Sequence, residues 1–279
     1  MPKNNRKGNA KVARKTVKII NRGGYKFGVD DTWVDLSPEL EFCIENTVEY
    51  PPGRPLPRIH QAEKESRIEV HQETTLSAIS RLNQQGLQPV ALNFASAYNP
   101  GGGFLKGASA QEETLVRASG LYACLKSAGM YRYHAQRRDP MYTDYAIYSP
   151  EVPIFRDEEG ALLQEPYTCA FVTSPAPNAG AVLRRNPKRK RGIRRQLVLR
   201  IRKVLTLMAA HGHQHIILGA WGCGVFRNDP EQVAEIFASI LHSTFQNVFE
   251  LVVFAILDRS RTGRFITPFQ EQLSDSITF

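Results

Sequence analysis

Residues 88–113 read Gln-Pro-Val-Ala-Leu-Asn-Phe-Ala-Ser-Ala-Tyr-Asn-Pro-Gly-Gly-Gly-Phe-Leu-Lys-Gly-Ala-Ser-Ala-Gln-Glu-Glu. The first seven residues have the length and composition of a buried strand. The triple glycine after them permits positive φ, so that backbone N–H groups can approach a ligand closely. Gln111, Glu112 and Glu113 then open an apolar helical pattern. This order of strand, loop and helix predicts one site that both binds and reacts.

Other apolar runs of strand length alternate with helical patterns along the chain. The runs span residues 168–173, 215–220 and 251–257, and the helical patterns span 111–128, 192–211 and 230–245. A further helix is predicted at about 60–85, ending at Gly86 and placing on one face Ile68, Leu76, Ile79 and Leu82. Such alternation predicts an α/β fold, with helices on both faces of a mixed, largely parallel sheet. Ligands of these sheets bind beyond the carboxyl ends of the strands.

The first part of the chain carries no strong chemical signature. Residues 12–20 predict a short basic helix, and the proline-rich stretch at 50–57 interrupts whatever precedes it. We therefore expect an N-terminal helical extension at 1–55, packed on the core, followed by a catalytic domain at 56–279.

Composition limits the classes of protein. In 279 residues there is no uncharged apolar run of about 18, which excludes a membrane-spanning helix. The basic N-terminus lacks the apolar segment of a secretory signal. The cysteines have no metal-ligand spacing, which favours an intracellular protein with reduced thiols. The net charge of +9 derives partly from residues 184–203, which could contact a polyanion weakly. We do not expect the protein to bind a membrane.

A second glycine-rich loop follows the run at 215–220. It reads Gly-Ala-Trp-Gly-Cys-Gly-Val-Phe at 219–226, and Asp229 and Pro230 then provide the N-cap and first residue of a helix. Glycines at this spacing let successive N–H groups point into one concavity, which suits a phosphate or diphosphate. A tight strand-to-helix turn would look similar. Neither glycine loop has P-loop or Rossmann spacing.

The two glutamates favour one acid–base group over a pair that flanks a bond. Ser109 and Glu112 match a capping box, which would give Glu112 a structural role. Adjacent helical residues do not face each other, so one glutamate would do the acid–base work while the other positions substrate. A glutamate at a helix N-terminus tends to stay ionised. A bound diphosphate and the exclusion of water would favour its protonated form.

Several other residues near the loops have two possible roles. Asn93 and Asn99 could bind ribose hydroxyls, or could simply form turns. Cys223 could be a nucleophile, but a small residue in a tight loop is favoured. Three alternating histidines are interpreted as surface or turn residues, because no fourth metal ligand is evident: His211, His213 and His215.

The spacing of the triple glycine and the Gln-Glu-Glu sequence, with seven residues between them, resembles the signature of poly(ADP-ribose) glycohydrolases. The second loop looks like the diphosphate-binding loop of that family. The chain is most similar to its compact bacterial-type form, from about residue 70 to residue 269, including the stretch at 144–157. This resemblance implies a macrodomain-like fold of three layers, α/β/α.

The resemblance also implies roles for single residues. Glu113 would be the catalytic acid/base that cleaves the ribose–ribose O-glycosidic bond, and Glu112 would hold ribose hydroxyls. The remaining substrate contacts would come from Gln111, Gly101, Gly102, Gly103, Asn93, Asn99, Gly222, Cys223, Gly224, Val225 and Phe226. No metal and no cofactor are implied. Phe265 and Phe269 are candidates for an adenine shelf, although core packing is the favoured explanation for both.

The expected substrate is poly(ADP-ribose) or an ADP-ribosylated protein, with ADP-ribose as product. Two alternatives remain at this point: a macrodomain that only binds ADP-ribose, and a hydrolase of mono-ADP-ribosylated targets. A pure binding module would not need the Gln-Glu-Glu sequence, which favours the enzyme.

Overall fold

The protein is seen in a computed structural model that describes residues 5–59 and 65–273. The strands of the described part are β1 Gly24–Phe27, β2 Thr32–Asp35, β3 Val48–Tyr50, β4 Arg67–His71, β5 Val90–Phe94, β6 Ala146–Arg156, β7 Leu162–Ser174, β8 His215–Leu218 and β9 Leu251–Ala255. Its α-helices are α1 Arg6–Arg22, α2 Ser37–Glu45, α3 Thr75–Gln84, α4 Gln111–Ala118, α5 Leu121–Leu125, α6 Gly129–Arg137, α7 Ala179–Arg185, α8 Lys190–Ala210, α9 Pro230–Leu241 and α10 Thr267–Leu273.

A seven-stranded sheet in the order β3-β6-β7-β5-β8-β9-β4 forms the centre of the molecule, and β1 and β2 form a separate antiparallel pair. The five strands from β7 to β4 run parallel, whereas β6 pairs antiparallel with both β3 and β7. The predicted mixed, largely parallel sheet is confirmed. Since β5, β8 and β9 are parallel, the two glycine-rich loops leave the same edge.

Alternating residues of each central strand face opposite helical layers. Val90 and Leu92 of β5 pack with residues of α8 and α9, whereas Ala91 packs with residues of α3 and α4. Period-two alternation between apolar side chains is what a sheet covered on both faces requires. The three-layer α/β/α arrangement expected from the family resemblance is therefore present.

The helix predicted at about 60–85 is partly wrong. Residues 67–71 form strand β4, which pairs in parallel with β9, and α3 begins only at Thr75. Ile68 is paired with Val252 and does not share a helical face with Leu76. The strand partner lies far along the chain, so local periodicity carried no sign of it. Residues 60–64 of this prediction lie outside the described residues.

The helical pattern at 111–128 is divided into α4 and α5. Ser119 between them makes an isolated β-bridge with Ile154. A Cβ on Gly120 would lie 2.7 Å from a Leu40 methyl carbon, so the chain passes close to α2 at this point. A tertiary contact therefore ends α4 where the apolar pattern alone would continue it.

The N-terminal extension packs against the catalytic part of the chain. The Thr16 hydroxyl of α1 donates to the main-chain carbonyl of Arg117 at 2.6 Å. β3, which also belongs to the extension, adds a strand to the central sheet. The division at residue 55 into an extension and a catalytic domain stays a prediction. Within the described residues, no helix combines the length and apolar character needed to cross a membrane.

Candidate active site

A cavity of about 1300 Å³ opens at the sheet edge where β5, β8 and β9 end. Of the residues predicted for the site, its wall includes Gln111, Glu112, Glu113, Gly222, Gly224, Val225 and Phe226. The other predicted residues do not line it: Asn93, Asn99, Gly101, Gly102, Gly103 and Cys223. The structure thus brings α4 and the second glycine-rich loop to one cavity although more than 100 residues separate them.

Glu113 is held by the loop that precedes α4. One carboxylate oxygen accepts the Gly103 N–H at 2.9 Å, and the other accepts the Ala110 N–H at 3.0 Å. Ala110 is the N-cap of α4, and Glu113 is its third helical residue. The predicted capping box of Ser109 and Glu112 is therefore wrong by one position, because the helix begins one residue later than assumed.

The triple glycine provides amides that hold the two carboxylates. Gly102 has φ of +60°, and a Cβ on it would lie 2.3 Å from Glu113 Oε1 and 3.0 Å from Glu112 Oε2. Only glycine fits where both carboxylates converge on the backbone. The Gly102 N–H donates to the Asn99 carbonyl, and the Gly101 N–H is a hydrogen-bond partner of Glu112. These three amides therefore donate to groups of the protein, and contact of the backbone at 101–103 with a ligand stays a prediction.

Glu112 is almost completely buried, with 3% of its surface exposed. Its Oε2 accepts the Ser96 N–H at 2.7 Å. Burial raises the pKa of Glu112 well above its usual value, and the neighbouring charge of Glu113 adds to this, against the hydrogen bond from Ser96. Burial therefore favours the protonated form of Glu112 over the carboxylate.

Gln111 ties α4 to the sheet and to α3. Its side-chain oxygen accepts the Phe94 N–H at 2.9 Å, and its amide nitrogen donates to the Leu92 carbonyl and the Thr75 hydroxyl. Both hydrogens of the amide are therefore committed within the protein. A positioning role, which keeps the two glutamates at the end of β5, fits this geometry better than a contact with substrate.

The two asparagines predicted to bind ribose do not border the cavity. Asn93 is fully buried, and its amide donates to the Thr173 hydroxyl at 3.2 Å. Asn99 is exposed on the first loop and accepts the Gly102 N–H through its main chain. Asn99 therefore has the turn-forming role that sequence reasoning kept as an alternative.

The second glycine-rich loop presents unused backbone donors. The N–H groups of Gly222, Gly224, Val225 and Phe226 have no acceptor within the part of the chain that the structure describes. Gly222 has φ of +76°, and a Cβ there would lie 2.4 Å from the Asn228 amide nitrogen. That amide donates to the Gly222 and Pro177 carbonyls and so holds the loop in shape. The loop then enters α9 through the predicted N-cap Asp229.

Cys223 is the exception in this loop. Its N–H donates to the Ala220 carbonyl at 3.1 Å, and its side chain is buried in the core. Burial raises the pKa of the Cys223 thiol, which disfavours the thiolate that a nucleophile needs. The structure therefore supports the small-residue interpretation and neither a nucleophile nor a diphosphate contact through this amide.

Aromatic rings connect the two loops. The ring of Tyr142 lies 5.4 Å from that of Tyr98 on the first loop and 5.9 Å from that of Phe226 on the second. Sequence reasoning missed both tyrosines. The position of Tyr98 just before the triple glycine was a usable signal, whereas nothing near Tyr142 in the sequence indicates its place.

The two phenylalanines proposed as an adenine shelf have different roles. Phe265 lines the cavity, and its N–H donates to the Asp258 carboxylate at 2.6 Å. Phe269 is fully buried against Phe254, with ring centroids 5.5 Å apart. Phe265 thus remains a candidate for a contact with a base, whereas Phe269 belongs to the core.

The basic stretch at 184–203 is only partly a solvated surface. Arg200 and Lys203 are buried and hydrogen bond to main-chain carbonyls, while Arg189 and Arg194 form ion pairs with Asp139 and Glu235. The other cations are exposed: Arg184, Arg185, Lys188, Lys190, Arg191, Arg195 and Arg202. This group of seven is called the basic surface below. It begins in the last turn of α7, a helix whose Gly180 N–H donates to the Phe226 carbonyl.

The alternating histidines are more buried than predicted. The His211 ring stacks on Tyr148 at 3.5 Å, and the ring nitrogen Nε2 of His213 lies 2.9 Å from the Tyr148 hydroxyl oxygen. Burial lowers the pKa of His213 to about 4. Over the described ranges, no group of three or more side chains is arranged to hold a metal ion.

Comparisons with known proteins agree with this geometry. The family model described as microbial-type PARG, catalytic domain, matches residues 13–157. A search of curated proteins gave no match. The poly(ADP-ribose) glycohydrolase (PARG) of Thermomonospora curvata is 43% identical, with a TM-score of 0.89 over 95% of this chain and 99% of that one. A structure of that enzyme with the inhibitor ADP-HPD is also 43% identical, with a TM-score of 0.86 over 95% and 98%.

A further relative extends the comparison to a second organism. The poly(ADP-ribose) glycohydrolase of Deinococcus radiodurans in complex with ADP-ribose is 42% identical, with a TM-score of 0.79 over 85% of this chain and 97% of that one. The family model covers the first glycine-rich loop and both glutamates, and the structural matches extend over the second loop as well. The chain belongs to the microbial-type poly(ADP-ribose) glycohydrolase family.

Proposed function

We propose that this protein releases ADP-ribose from poly(ADP-ribose) by hydrolysing ribose–ribose O-glycosidic bonds, with Glu113 as the general acid and base. The observation that carries the proposal is the placement of the Glu113 carboxylate. Two loop amides hold it in one orientation, at a cavity that the free amides of the second loop also line. Such an arrangement lets one part of a substrate be gripped while another part reacts.

Glu113 acts in two steps on the bond. It first donates a proton to the departing ribose oxygen as the bond to the anomeric carbon breaks, which leaves an oxocarbenium-like centre. The resulting carboxylate then removes a proton from the water that attacks this centre. One group thus serves as acid and then as base.

Glu112 complements this role from its buried position. Burial favours the protonated form of Glu112 and so lessens the negative charge beside Glu113. A neutral carboxyl can also donate a hydrogen bond to a ribose hydroxyl and accept another from it. Glu112 therefore positions the ribose.

The second loop binds the diphosphate of the same ADP-ribose unit. Its unused N–H groups and the start of α9 provide the donors that an anion prefers. Phe226, the last residue of this loop, packs against the terminal ribose. The relative from Deinococcus radiodurans is seen in complex with ADP-ribose, which supports ADP-ribose as the ligand of this chain.

The basic surface helps to retain the anionic polymer. Its exposed cations begin at the end of α7, a helix that contacts the second loop at Phe226. Attraction between such a surface and the phosphates of neighbouring polymer units needs no specific contacts, and it weakens as the salt concentration rises. An intracellular location fits the four cysteines, all free and buried.

The proposal is tested by the variant Glu113→Gln, which keeps the size of the side chain and removes the proton donor. We expect release of ADP-ribose from the polymer to fall about 10²–10⁴-fold. Calorimetric binding of ADP-ribose should remain measurable. Glu231→Gln, at an exposed position in the first turn of α9, is the control. A Glu113→Gln enzyme with the wild-type rate would exclude the assigned role.

A further inference from the structure

An aromatic and cationic rim lies on the protein surface between the two glycine-rich loops. Tyr98 precedes the triple glycine, Phe226 and Arg227 end the second loop, and Tyr142 contacts both Tyr98 and Phe226. These four residues are called the aromatic rim below. The function proposed above assigns no role to Tyr98, Tyr142 or Arg227 in binding the ADP-ribose unit that is released.

One face of the Tyr98 ring is free to stack with a planar group. Tyr98 is 38% exposed, and its contact with Tyr142 is edge-to-face, with an angle of 87° between the rings. An edge-to-face contact uses at most one face of a ring. The Ser96 hydroxyl accepts the Tyr98 N–H at 3.3 Å and so fixes the backbone beneath the ring. The other face of Tyr98 can therefore receive a planar group.

The backbone around the rim is held in unusual conformations. Tyr142 has φ of +54° and Arg227 has φ of +59°, although neither is glycine. Residues held in the left-handed region against their preference cluster at functional sites. The Tyr142 side chain is nearly buried, and burial raises the pKa of its hydroxyl to about 12, so the ring stays neutral. Tyr142 thus acts as a fixed support for Tyr98.

The rim adjoins the reacting group, because the loop that carries Tyr98 also holds Glu113 through the Gly103 N–H, and Phe226 of the rim lines the cavity. In the bond proposed above, the departing oxygen belongs to the adenosine ribose of the adjacent ADP-ribose unit. That unit carries its adenine on the same ribose and a diphosphate at the other end of it. Any surface beside the scissile bond therefore meets first a base and then phosphates.

We propose that the aromatic rim is a subsite for the departing unit of the polymer, with the adenine stacked on Tyr98 and a phosphate beside Arg227. This inference rests on the proposed function and names the substrate part that the rim receives. Stacking on an aromatic side chain tolerates variation in the base but requires that the base and the side chain are both planar rings. Arg227 is exposed, and it lies next to the loop that binds the first diphosphate.

The test compares two substrates that share the reacting unit. Poly(ADP-ribose) has an adenosine as leaving group, whereas the p-nitrophenyl glycoside of ADP-ribose has none. In Tyr98→Ala we expect the ratio of kcat/KM for the polymer to kcat/KM for the glycoside to fall about tenfold. Tyr98→Phe keeps the ring and should keep the ratio within about twofold of wild type. Trp33→Ala, at an exposed aromatic residue of β2, is the matched control.

Each other result overturns the inference. A ratio that is unchanged in Tyr98→Ala excludes stacking. Equal losses on both substrates indicate a structural role, and equal effects of Tyr98→Phe and Tyr98→Ala indicate a role of the hydroxyl. The same variants are also combined with Glu113→Gln, which prevents cleavage. Their affinity for the polymer is then compared with their affinity for monomeric ADP-ribose. This binding ratio decides the inference even if the wild-type enzyme cleaves neither substrate, an outcome that counts against the proposed function alone.

Discussion

At the scale of single residues, Gly102 has the most constrained position in the site. In Gly102→Ala the new methyl group would overlap the Glu113 carboxylate at a φ that alanine disfavours. We expect the variant to lose at least about tenfold in kcat and about 1–2 kcal/mol in the free energy of unfolding. The control Gly86→Ala has a similar φ of +76° but no atom within 4 Å of the added Cβ.

Comparison of these two glycine variants distinguishes the effect of backbone strain on stability from the effect of a displaced Glu113 carboxylate on catalysis. Both should unfold at lower urea concentration than wild type, whereas only Gly102→Ala should lose activity on poly(ADP-ribose). Equal activity of the two variants would show that the Glu113 carboxylate does not depend on the glycine beneath it.

The raised pKa of Glu112 predicts that the free energy of unfolding depends on pH. The pKa is raised in the folded protein, so the folded state binds a proton that the unfolded state releases above the ordinary value of 4.5. The stabilising effect is complete below that value and is lost as pH rises towards the folded pKa. Glu112→Gln cannot ionise and should gain stability relative to wild type as pH rises above 4.5, as measured by urea unfolding. Parallel pH profiles for the two proteins would refute this.

At the scale of elements, α1 is connected to α4 and β6 through one hydroxyl. Thr16 donates to the Arg117 carbonyl, and its oxygen accepts the Arg156 Nε–H at 3.2 Å. Thr16→Val keeps the shape but leaves both buried partners unsatisfied, which should cost about 1–3 kcal/mol in the free energy of unfolding. Thr32→Val, at an exposed position in β2, should change it little. If both variants behaved alike in urea unfolding, the proposed packing of the extension on the core would be wrong.

Strands and helices were predicted best where the apolar pattern was local. β5, α8 and the N-cap of α9 were found because a strand run, a helical period and an Asp-Pro pair each show within a few residues. β4 was mistaken for helix, since its partner β9 lies about 180 residues away in the sequence. The antiparallel pair of β3 and β6 was missed for the same reason.

For the whole molecule, the net charge of +9 predicts that binding of polymer depends on salt. Charge reversal of Lys188, Lys190 and Arg191 to glutamate should raise KM for poly(ADP-ribose) several-fold at low salt and weaken its salt dependence. Calorimetric binding of ADP-ribose by wild type and variant is the control, since none of these three residues lines the cavity. If the affinity for polymer were the same in both proteins, retention by this surface would be excluded.

The sequence by itself determined the fold class, the family signature, and the two loops that meet at the cavity, because strand periodicity, glycine spacing and paired carboxylates are local properties of the chain. Only the tertiary structure decided what each residue of the signature does. It directed the glycine amides towards Glu113 and Glu112, committed Gln111 to β5, and assembled Tyr98, Tyr142 and Phe226 into one rim. Hydrogen-bond partners, burial and the resulting preference of Glu112 for a proton depend on residues far apart in the chain, which no local pattern encodes.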